Sequence, residues 1–337
     1  MEIISRRIEQ ARSTHSGAIF EIKTEIPVRL SEPFAGARVA VLIPCFNEAS
    51  TIGDTVLAFA QALPSAAIYV YDNNSSDDTA ALAAAAGAIV RHEPLQGKGN
   101  VVRRMFSDVE ADIYVLVDGD GTYDPSAMPS MIALLQEKHL DMVNGVRVTD
   151  LKTAYRPGHR FGNAILTGLV ASLFGDQFQD LLSGYKVFSR RFIKSFPALS
   201  SGFEIETELA VHALELRMPV AETPTVYKDR PQGSVSKLNT WRDGIRILRM
   251  IVLFLKEKRP LFFFSMIGLT NAILAIVLAL PLLDTYLKTG LVPRFPTAIL
   301  STGLMILAFL SFVAGLILDT VTRAHLATKR LIYLNTR

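Results

Sequence analysis

Two carboxylates directly follow a short apolar run, in the order Asp118-Gly119-Asp120 after residues 113–117. If the run is a strand that ends in a turn, which the glycine at position 119 permits, the two side chains converge on one point. Converging carboxylates repel each other unless a cation lies between them. Their hard oxygen atoms favour Mg²⁺ or Mn²⁺, usually shared with a substrate diphosphate. We therefore expect Asp118 and Asp120 to bind a metal ion, the alternative being a turn in which Asp caps a following helix.

Polar residues also follow two earlier apolar runs. Asn47 and Glu48 come after the run that Pro44 ends, and residues 72–79 (DNNSSDDT) come after the next run. The second group could bind a base and a ribose, or it could form an Asx turn and a helix N-cap, and both interpretations stay open. Neither a GxGxxG sequence after the first run nor a GxxxxGK[ST] sequence occurs, which disfavours a dinucleotide-binding oxidoreductase and a P-loop NTPase.

The elements that must position these residues alternate between strand and helix patterns over residues 37–239, which we take as one α/β domain. Short connections between them predict a mostly parallel sheet with right-handed crossovers. Ligands of such sheets bind beyond the carboxyl ends of the strands, where the polar groups lie. The predicted strands are 37–44, 67–72, 88–92, 112–120 and 141–147, and the predicted helices lie near 50–63, 77–86, 98–109, 126–138 and 159–174.

Two uncharged apolar segments, 261–283 and 295–318, lie near the C-terminus within residues 259–320. Each exceeds the roughly 20 residues that a helix needs to cross a bilayer. We predict a transmembrane hairpin, the alternative being two buried helices of a soluble core. Arginine and lysine are concentrated before the first segment and after the second, which places both ends of the hairpin in the cytosol. Residues 321–337 are then a cytosolic tail.

Residues 240–258 (TWRDGIRILRMIVLFLKEK) have apolar positions at helical spacing with arginines between them. This pattern predicts a helix that lies in the membrane interface, and a helix that packs on the core is the alternative. Residues 1–36 have weak periodicity and form an N-terminal extension of unknown role. They include no apolar signal segment, so we expect the chain to begin in the cytosol.

Composition sets further limits. Half of the 337 residues are hydrophobic, and the mean hydropathy of +0.29 argues against disorder. A net charge of +3 predicts no strongly basic surface for nucleic acid. Cys45 is the single cysteine, which excludes an internal disulfide and a multi-cysteine zinc site.

Six short segments occur in an order that resembles a known family. Together they are similar to the family 2 glycosyltransferases of GT-A fold, and most similar to the polyprenyl-phosphate glycosyltransferases, which include dolichyl-phosphate mannosyltransferase. The resemblance covers about residues 38–240, and the hairpin matches a bacterial branch with the same kind of anchor. The segments are VLIPCFNE (41–48), VYDNNSSDDT (70–79), GKG (97–99), VDGDGTYDP (117–125), DLLSGYKVFSRR (180–191) and SVSKL (234–238).

The resemblance implies a role for each matching position. Asp118 and Asp120 would bind Mg²⁺ or Mn²⁺, and Asp120 and Asp180 would be the catalytic carboxylates. Arg230 and Lys237 would bind the phosphate of the acceptor. The nucleotide-sugar would contact Pro44, Phe46, Glu48, Asp72, Asn73, Lys98, Asp118 and Arg147.

The implied function is an inverting, metal-dependent transfer of a sugar from a UDP- or GDP-linked donor to a polyprenyl phosphate. The partners would be these two substrates and a lipid bilayer, in a bacterial inner membrane with the catalytic domain in the cytosol. Self-association into a homo-oligomer stays open. One alternative is a processive polysaccharide synthase. The sequence disfavours it, because a QxxRW-type motif is missing and a hairpin of two helices is too small to form a channel. Another is a non-catalytic membrane module that binds a nucleotide, against which stands the intact pair Asp118 and Asp120.

Overall fold

Seven short strands form one sheet in the order β3-β2-β1-β4-β6-β5-β7. The computed structural model describes residues 36–148, 168, 178–202, 204–228, 252–253 and 255–336. Strands β1 to β4 are parallel to one another, as are β5 and β7, whereas β6 runs antiparallel to both of its neighbours. The strands are Val39–Cys45 (β1), Ala67–Asp72 (β2), Ile89–His92 (β3), Ile113–Leu116 (β4), Met142–Val148 (β5), Lys186–Ser189 (β6) and Val220–Val226 (β7).

The predicted mostly parallel sheet is therefore confirmed, with two strands added. Strand β4 is buried along its whole length and β1 almost so, because both lie in the middle of the sheet with layers on both faces. Strand β6 was not predicted, because its four residues are too few to show the alternation of apolar and polar residues that is typical of a strand. Strand β7 was not predicted because its sequence, VAETPTV, includes a proline and a glutamate.

Helices cover the faces of the sheet, and the main core lies between β1, β4 and β6 on one side and three helices on the other, Lys98–Asp108 (α3), Arg190–Ser195 (α5) and Ile205–Leu216 (α6). Phe106, Phe188, Phe192 and Phe196 pack against one another there in edge-on, tilted and stacked pairs. The helices of this unit are Ile52–Ala62 (α1), Thr79–Ala85 (α2), Lys98–Asp108 (α3), Met128–Glu137 (α4), Arg190–Ser195 (α5) and Ile205–Leu216 (α6), with a 3₁₀ turn at Pro125–Ala127.

Two long helices follow, Pro260–Thr289 (α7) and Phe295–Asn335 (α8), and both are long and apolar enough to cross a membrane. They are antiparallel, since Gly268 faces Ala308 whereas Gly315, further along α8, faces Phe264. Most of their large apolar side chains are exposed, so the two helices are not buried in the core of a globular domain. The predicted segments 261–283 and 295–318 lie within these helices, and α8 continues through most of the predicted tail.

Several sequence predictions lie outside the described residues. They are most of the N-terminal extension (1–35), the helix near 159–174 apart from residue 168, and the interfacial helix 240–258 apart from residues 252–253 and 255–258. These stay predictions. Elsewhere the predicted helices begin and end within about two residues of those observed, a discrepancy that fraying of helix ends ordinarily produces.

Close packing of the hairpin predicts a sensitive glycine. A Cβ atom at Gly268 would meet the carbonyl oxygen of Ala308 at 2.8 Å, whereas one at Gly303 on α8 would meet nothing within 4 Å. Gly268→Leu should therefore lower the thermal unfolding midpoint in detergent, at a cost of about 1–3 kcal/mol for the overpacked contact. Gly303→Leu is the matched control and should leave the midpoint unchanged. Equal midpoints for the two variants would contradict the observed helix contact.

Candidate active site

The loops that follow β1, β2 and β4 meet at one edge of the sheet, because these parallel strands all end there. The first two loops are held together directly. The backbone N–H of Glu48 donates to Oγ1 of Thr79 at 2.8 Å, and that of Asn47 donates to Oγ of Ser75 at 2.9 Å. Pro44, Phe46 and Glu48 lie beside them, each partly exposed. The predicted nucleotide-binding positions of the first loop are thus at the expected edge.

The two residues at the end of β2, Asp72 and Asn73, have different surroundings. Asn73 holds the 93–97 loop, because its amide nitrogen donates to the carbonyls of Glu93 and Leu95, both at 2.8 Å, and its oxygen accepts from the N–H of Gly97 at 2.7 Å. Asp72 is 6% exposed, and its Oδ1 atom has no hydrogen-bond partner among the described residues. Asn73 therefore has a structural role in fixing the 93–97 loop. Asp72 is the residue with a carboxylate oxygen that could still accept a hydrogen bond from a ligand.

The Asp118-Gly119-Asp120 segment forms a turn just beyond β4, which ends at Leu116, four residues before the predicted strand end. Thr51 fixes this turn by donating its hydroxyl to the carbonyl of Gly119 at 2.8 Å. The Asp120 side chain is buried and accepts from the hydroxyl of Thr122 at 2.6 Å, while the Asp118 side chain is 31% exposed. Of the two carboxylates, Asp118 is thus the more open to a ligand.

Lys98 begins α3 and lies between two carboxylates, Asp118 and Glu206. Its Nζ atom is 2.5 Å from Oδ1 of Asp118 and also donates to Oε1 of Glu206. Burial lowers the pKa of Lys98, but the two carboxylates outweigh that effect and raise it above its usual value. Lys98 is consequently a permanent cation beside the predicted metal ligand.

Glu206 is a site residue that the sequence reasoning missed. It lies in the first turn of α6, is 4% exposed, and its Oε2 atom has no hydrogen-bond partner within the described part of the chain. Nζ of the fully buried Lys186 is 4.0 Å from that atom. The signal that could have found Glu206 is its segment, GFEIETEL, where acidic residues alternate with apolar ones at a helix start.

Arg147 and Asp180 form a two-pronged ion pair, with both nitrogen–oxygen distances 2.7 Å. Burial raises the pKa of Asp180, but the hydrogen bonds and charge of Arg147 more than compensate and hold it below the ordinary value. A carboxylate with a lowered pKa is a weak base. Together with its two hydrogen bonds to Arg147, this favours a role in orienting Arg147 over a role in accepting a proton. Arg147 also lies over the ring of Tyr227, 5.6 Å from its centre.

A continuous polar chain connects the two charged pairs across the sheet. The amide nitrogen of Asn144 donates to the carbonyl of Asp180 at 2.9 Å, and its oxygen accepts from Nζ of Lys186 at 2.6 Å. Lys186 faces Glu206, which in turn binds Lys98. Burial lowers the pKa of Lys186. The structure thus brings together Asp118, Asp120, Lys98, Asp180 and Arg147, whereas Arg230 and Lys237 lie outside the described residues.

The two carboxylates of the turn fit a small hard cation. Within the described residues there is no group of three or more His, Cys, Asp or Glu that could enclose a metal ion by itself. Mg²⁺ sites commonly use one or two carboxylates and complete their shell with water and substrate phosphates. Asp118 and Asp120 supply that number, so the donor set fits a metal ion that arrives with a diphosphate.

The backbone behind Asp118 predicts a second sensitive glycine. A Cβ atom at Gly184 would overlap the Asp118 carboxylate, which packs against it. Gly184→Ala should therefore displace that carboxylate and weaken Mn²⁺ binding about 10- to 100-fold, as changes next to a metal ligand typically do. Isothermal titration with MnCl₂ and UDP measures this. Gly53→Ala, where a Cβ meets nothing within 4 Å, is the control, and unchanged Mn²⁺ affinity in Gly184→Ala would contradict the metal site.

Comparison with known proteins identifies the family of the chain. The family model for glycosyl transferase family 2 matches residues 40–196. Glycosyltransferase AglJ of Haloferax volcanii is 36% identical over 248 residues, which are 72% of this chain and 80% of that protein. An uncharacterized protein of Shigella flexneri is 54% identical over 155 residues, 46% of this chain and 95% of that protein.

The fold has a close counterpart among solved structures. A crystal structure of glucosyl-3-phosphoglycerate synthase from Mycobacterium tuberculosis superposes with a TM-score of 0.55 at 23% identity, over 66% of this chain and 80% of that chain. This likeness shows the fold, a GT-A arrangement of a mostly parallel sheet with helices. Together with the identity to AglJ, the family model and the Asp118-Gly119-Asp120 turn at the sheet edge, it leads to one conclusion: the chain belongs to glycosyltransferase family 2.

Proposed function

We propose that the protein transfers a sugar from a UDP- or GDP-linked donor to a polyprenyl phosphate at the cytosolic face of a membrane. The observation that carries the proposal is that the Asp118 site and an apolar helical hairpin belong to one structural unit. A site attached to a membrane anchor suits an acceptor whose phosphate lies at the membrane surface and whose hydrocarbon chain lies in the bilayer.

Relatives support the donor class. A crystal structure of the mycobacterial glucosyl-3-phosphoglycerate synthase contains Mn²⁺, UDP and glucosyl-3-phosphoglycerate. Agl6 of Haloferax volcanii, 29% identical over 250 residues, is named a low-salt glycan biosynthesis hexosyltransferase. We extend a nucleotide-sugar donor and a divalent cation to this chain on these grounds. The acceptor of the mycobacterial synthase is a different molecule, so the polyprenyl phosphate rests on the hairpin and on the sequence resemblance.

Asp118 and Asp120 would hold a divalent cation, which supplies Lewis-acid stabilisation of the departing nucleoside diphosphate. Lys98 keeps a positive charge next to Asp118 and would add to the stabilisation of that leaving group. Asp72, with its unsatisfied Oδ1 atom, would accept from the base or ribose of the donor. These residues would bind and orient the donor, and the anomeric carbon would be attacked from the face opposite the diphosphate.

The acceptor needs little activation. A phosphate monoester has a second pKa of about 6, so most of the acceptor is a dianion at neutral pH and already a competent nucleophile. Arg147, oriented by Asp180, would hold one of the two anionic substrates, and Arg230 and Lys237 would hold the acceptor phosphate. Attack by a single nucleophile displaces the diphosphate in line and inverts the anomeric centre. Positioning of two anions supplies much of the rate in such a scheme.

The same proposal places α7 and α8 across the membrane. The positive flanks of the hairpin put both of its ends, and the catalytic unit with them, in the cytosol, and the segment between the helices outside. A bacterial inner membrane is the expected location, since the hairpin resembles the anchor of the bacterial branch.

Loss of the turn carboxylates tests this reaction. Asp118→Asn or Asp120→Asn should reduce sugar transfer to polyprenyl phosphate at least about 100-fold, because the charge on the leaving group loses its stabilisation. Transfer is measured by mass spectrometry of the lipid product, with and without EDTA. Asp54→Asn, which neutralises an exposed carboxylate on α1, is the matched control and should be fully active. Near-normal transfer by either site variant, or transfer that persists in EDTA, would refute the metal assignment.

A further inference from the structure

The C-terminal part of α8 packs against the catalytic unit, by which we mean strands β1–β7 and helices α1–α6. Helix α8 has 41 residues, about 60 Å at 1.5 Å per residue, and the bilayer core takes up about 30 Å of it. The remainder, residues 319–335, lies beyond the apolar segment. Leu326 and Tyr333 from this part pack on the hydrophobic core beside α5 and α6. What the sequence predicts as a tail is a helix docked on the enzyme.

One attachment point is a buried carboxylate, Asp141, which directly precedes β5 and has no exposed surface. The hydroxyl of Tyr333 donates to its Oδ2 atom at 2.6 Å, and Arg191 from α5 donates to both of its oxygens at 3.0 and 2.9 Å. The Arg191 guanidinium also lies 4.6 Å from the centre of the Tyr333 ring. Burial and the bond to Asp141 raise the pKa of Tyr333 to about 12, so its hydroxyl remains a donor at neutral pH.

The second attachment point is Glu215, near the C-terminal end of α6. Its two oxygens pair with Nζ of Lys258 at 2.7 Å and with Nζ of Lys329 at 3.2 Å. Lys258 lies just before α7 and Lys329 lies on α8, so one carboxylate holds the same end of both hairpin helices. All three side chains are at least three-quarters buried, which strengthens the pairing compared with surface ion pairs.

Helix α6 connects this attachment to the active site. Glu215 and Glu206 lie on the same helix, about 14 Å apart along its axis. Glu206 binds Lys98, and Lys98 binds Asp118. A short, almost fully buried helix therefore joins the base of the hairpin to the predicted metal ligand through direct contacts.

We infer that the two attachments act as an anchor clamp, formed by Asp141, Arg191, Glu215, Lys258, Lys329 and Tyr333, which fixes the catalytic unit at one distance and orientation from the bilayer. These are positioning residues, because they hold the hairpin against α5, α6 and the start of β5 and so set where the site lies relative to the bilayer. The inference rests on the proposed lipid-phosphate acceptor. A phosphate held at headgroup depth can reach the site only if the site is held at the matching height, which a loosely tethered domain would achieve in a fraction of its orientations.

The test compares an acceptor in the bilayer with one in solution. In nanodiscs, the double variant Glu215→Gln with Tyr333→Phe should lose at least about tenfold in kcat/KM for undecaprenyl phosphate, since each change removes a hydrogen bond to a charged group. The kcat/KM for a short-chain prenyl phosphate that stays in solution, and the KM for the donor, should change by less than about twofold. Arg330→Gln, which removes an exposed charge one residue from Lys329, is the matched control and should match the unaltered chain with both acceptors.

Hydrogen exchange in the same nanodiscs gives a readout that needs no activity. The clamp variant should exchange faster than the Arg330→Gln control over residues 319–335 and over α6. Equal exchange would overturn the clamp, and equal loss with both acceptors would overturn its positioning role in favour of a general structural one. If the unaltered chain uses neither acceptor, the proposed function fails instead, and the exchange comparison still decides whether the clamp exists.

Discussion

The buried ammonium of Lys98 holds together the parts of the candidate active site. Its two carboxylate partners come from different segments, Asp118 from the turn after β4 and Glu206 from the start of α6. The GKG loop that carries Lys98 can lie directly against the backbone of Ser200 and Ser201, just before α6, because Gly99 lacks a side chain. The N–H of Gly99 donates to the carbonyl of Ser201 at 3.0 Å. Without these carboxylates, the buried Lys98 side chain would either lose its proton or move out to solvent, since an uncompensated charge in the interior is costly.

This arrangement also explains why so many charged groups lie inside the domain. Lys186 and Glu206 are almost fully buried, and apolar residues of similar volume are often at least as stabilising as such a buried ion pair. Buried polar chains are worth keeping where they fix the position of reacting groups, and the chain from Lys98 to Arg147 has a cation at each of its ends. In the proposed reaction two anionic substrates meet at this edge of the sheet, and the interior network would serve their binding at the expense of stability.

How much the sequence predicts depends on the range of the contacts. Asp118 and Asp120 could be recognised because a strand and a turn are local patterns, and the parallel sheet followed from the alternation of elements. Asn73 could not be separated from Asp72, because only the fold shows that its amide holds the 93–97 loop. Glu206 lies 108 residues from Lys98, and Tyr333 lies 192 residues from Asp141. Composition and periodicity carry no information about such pairs, so the Lys98 bridge and the docked end of α8 emerged only from the structure.

We propose that this family 2 glycosyltransferase glycosylates a lipid phosphate, and direct detection of the glycosylated lipid is the simplest test. Membranes containing the full chain would be incubated with undecaprenyl phosphate, Mn²⁺ and a panel of UDP- and GDP-sugars, and the extracted lipid analysed by mass spectrometry. We expect a lipid species heavier by one sugar residue with one of the donors, and we expect it to be absent when polyprenyl phosphate is omitted. Sugar transfer from a donor to a water-soluble acceptor, with the lipid phosphate unchanged, would contradict it.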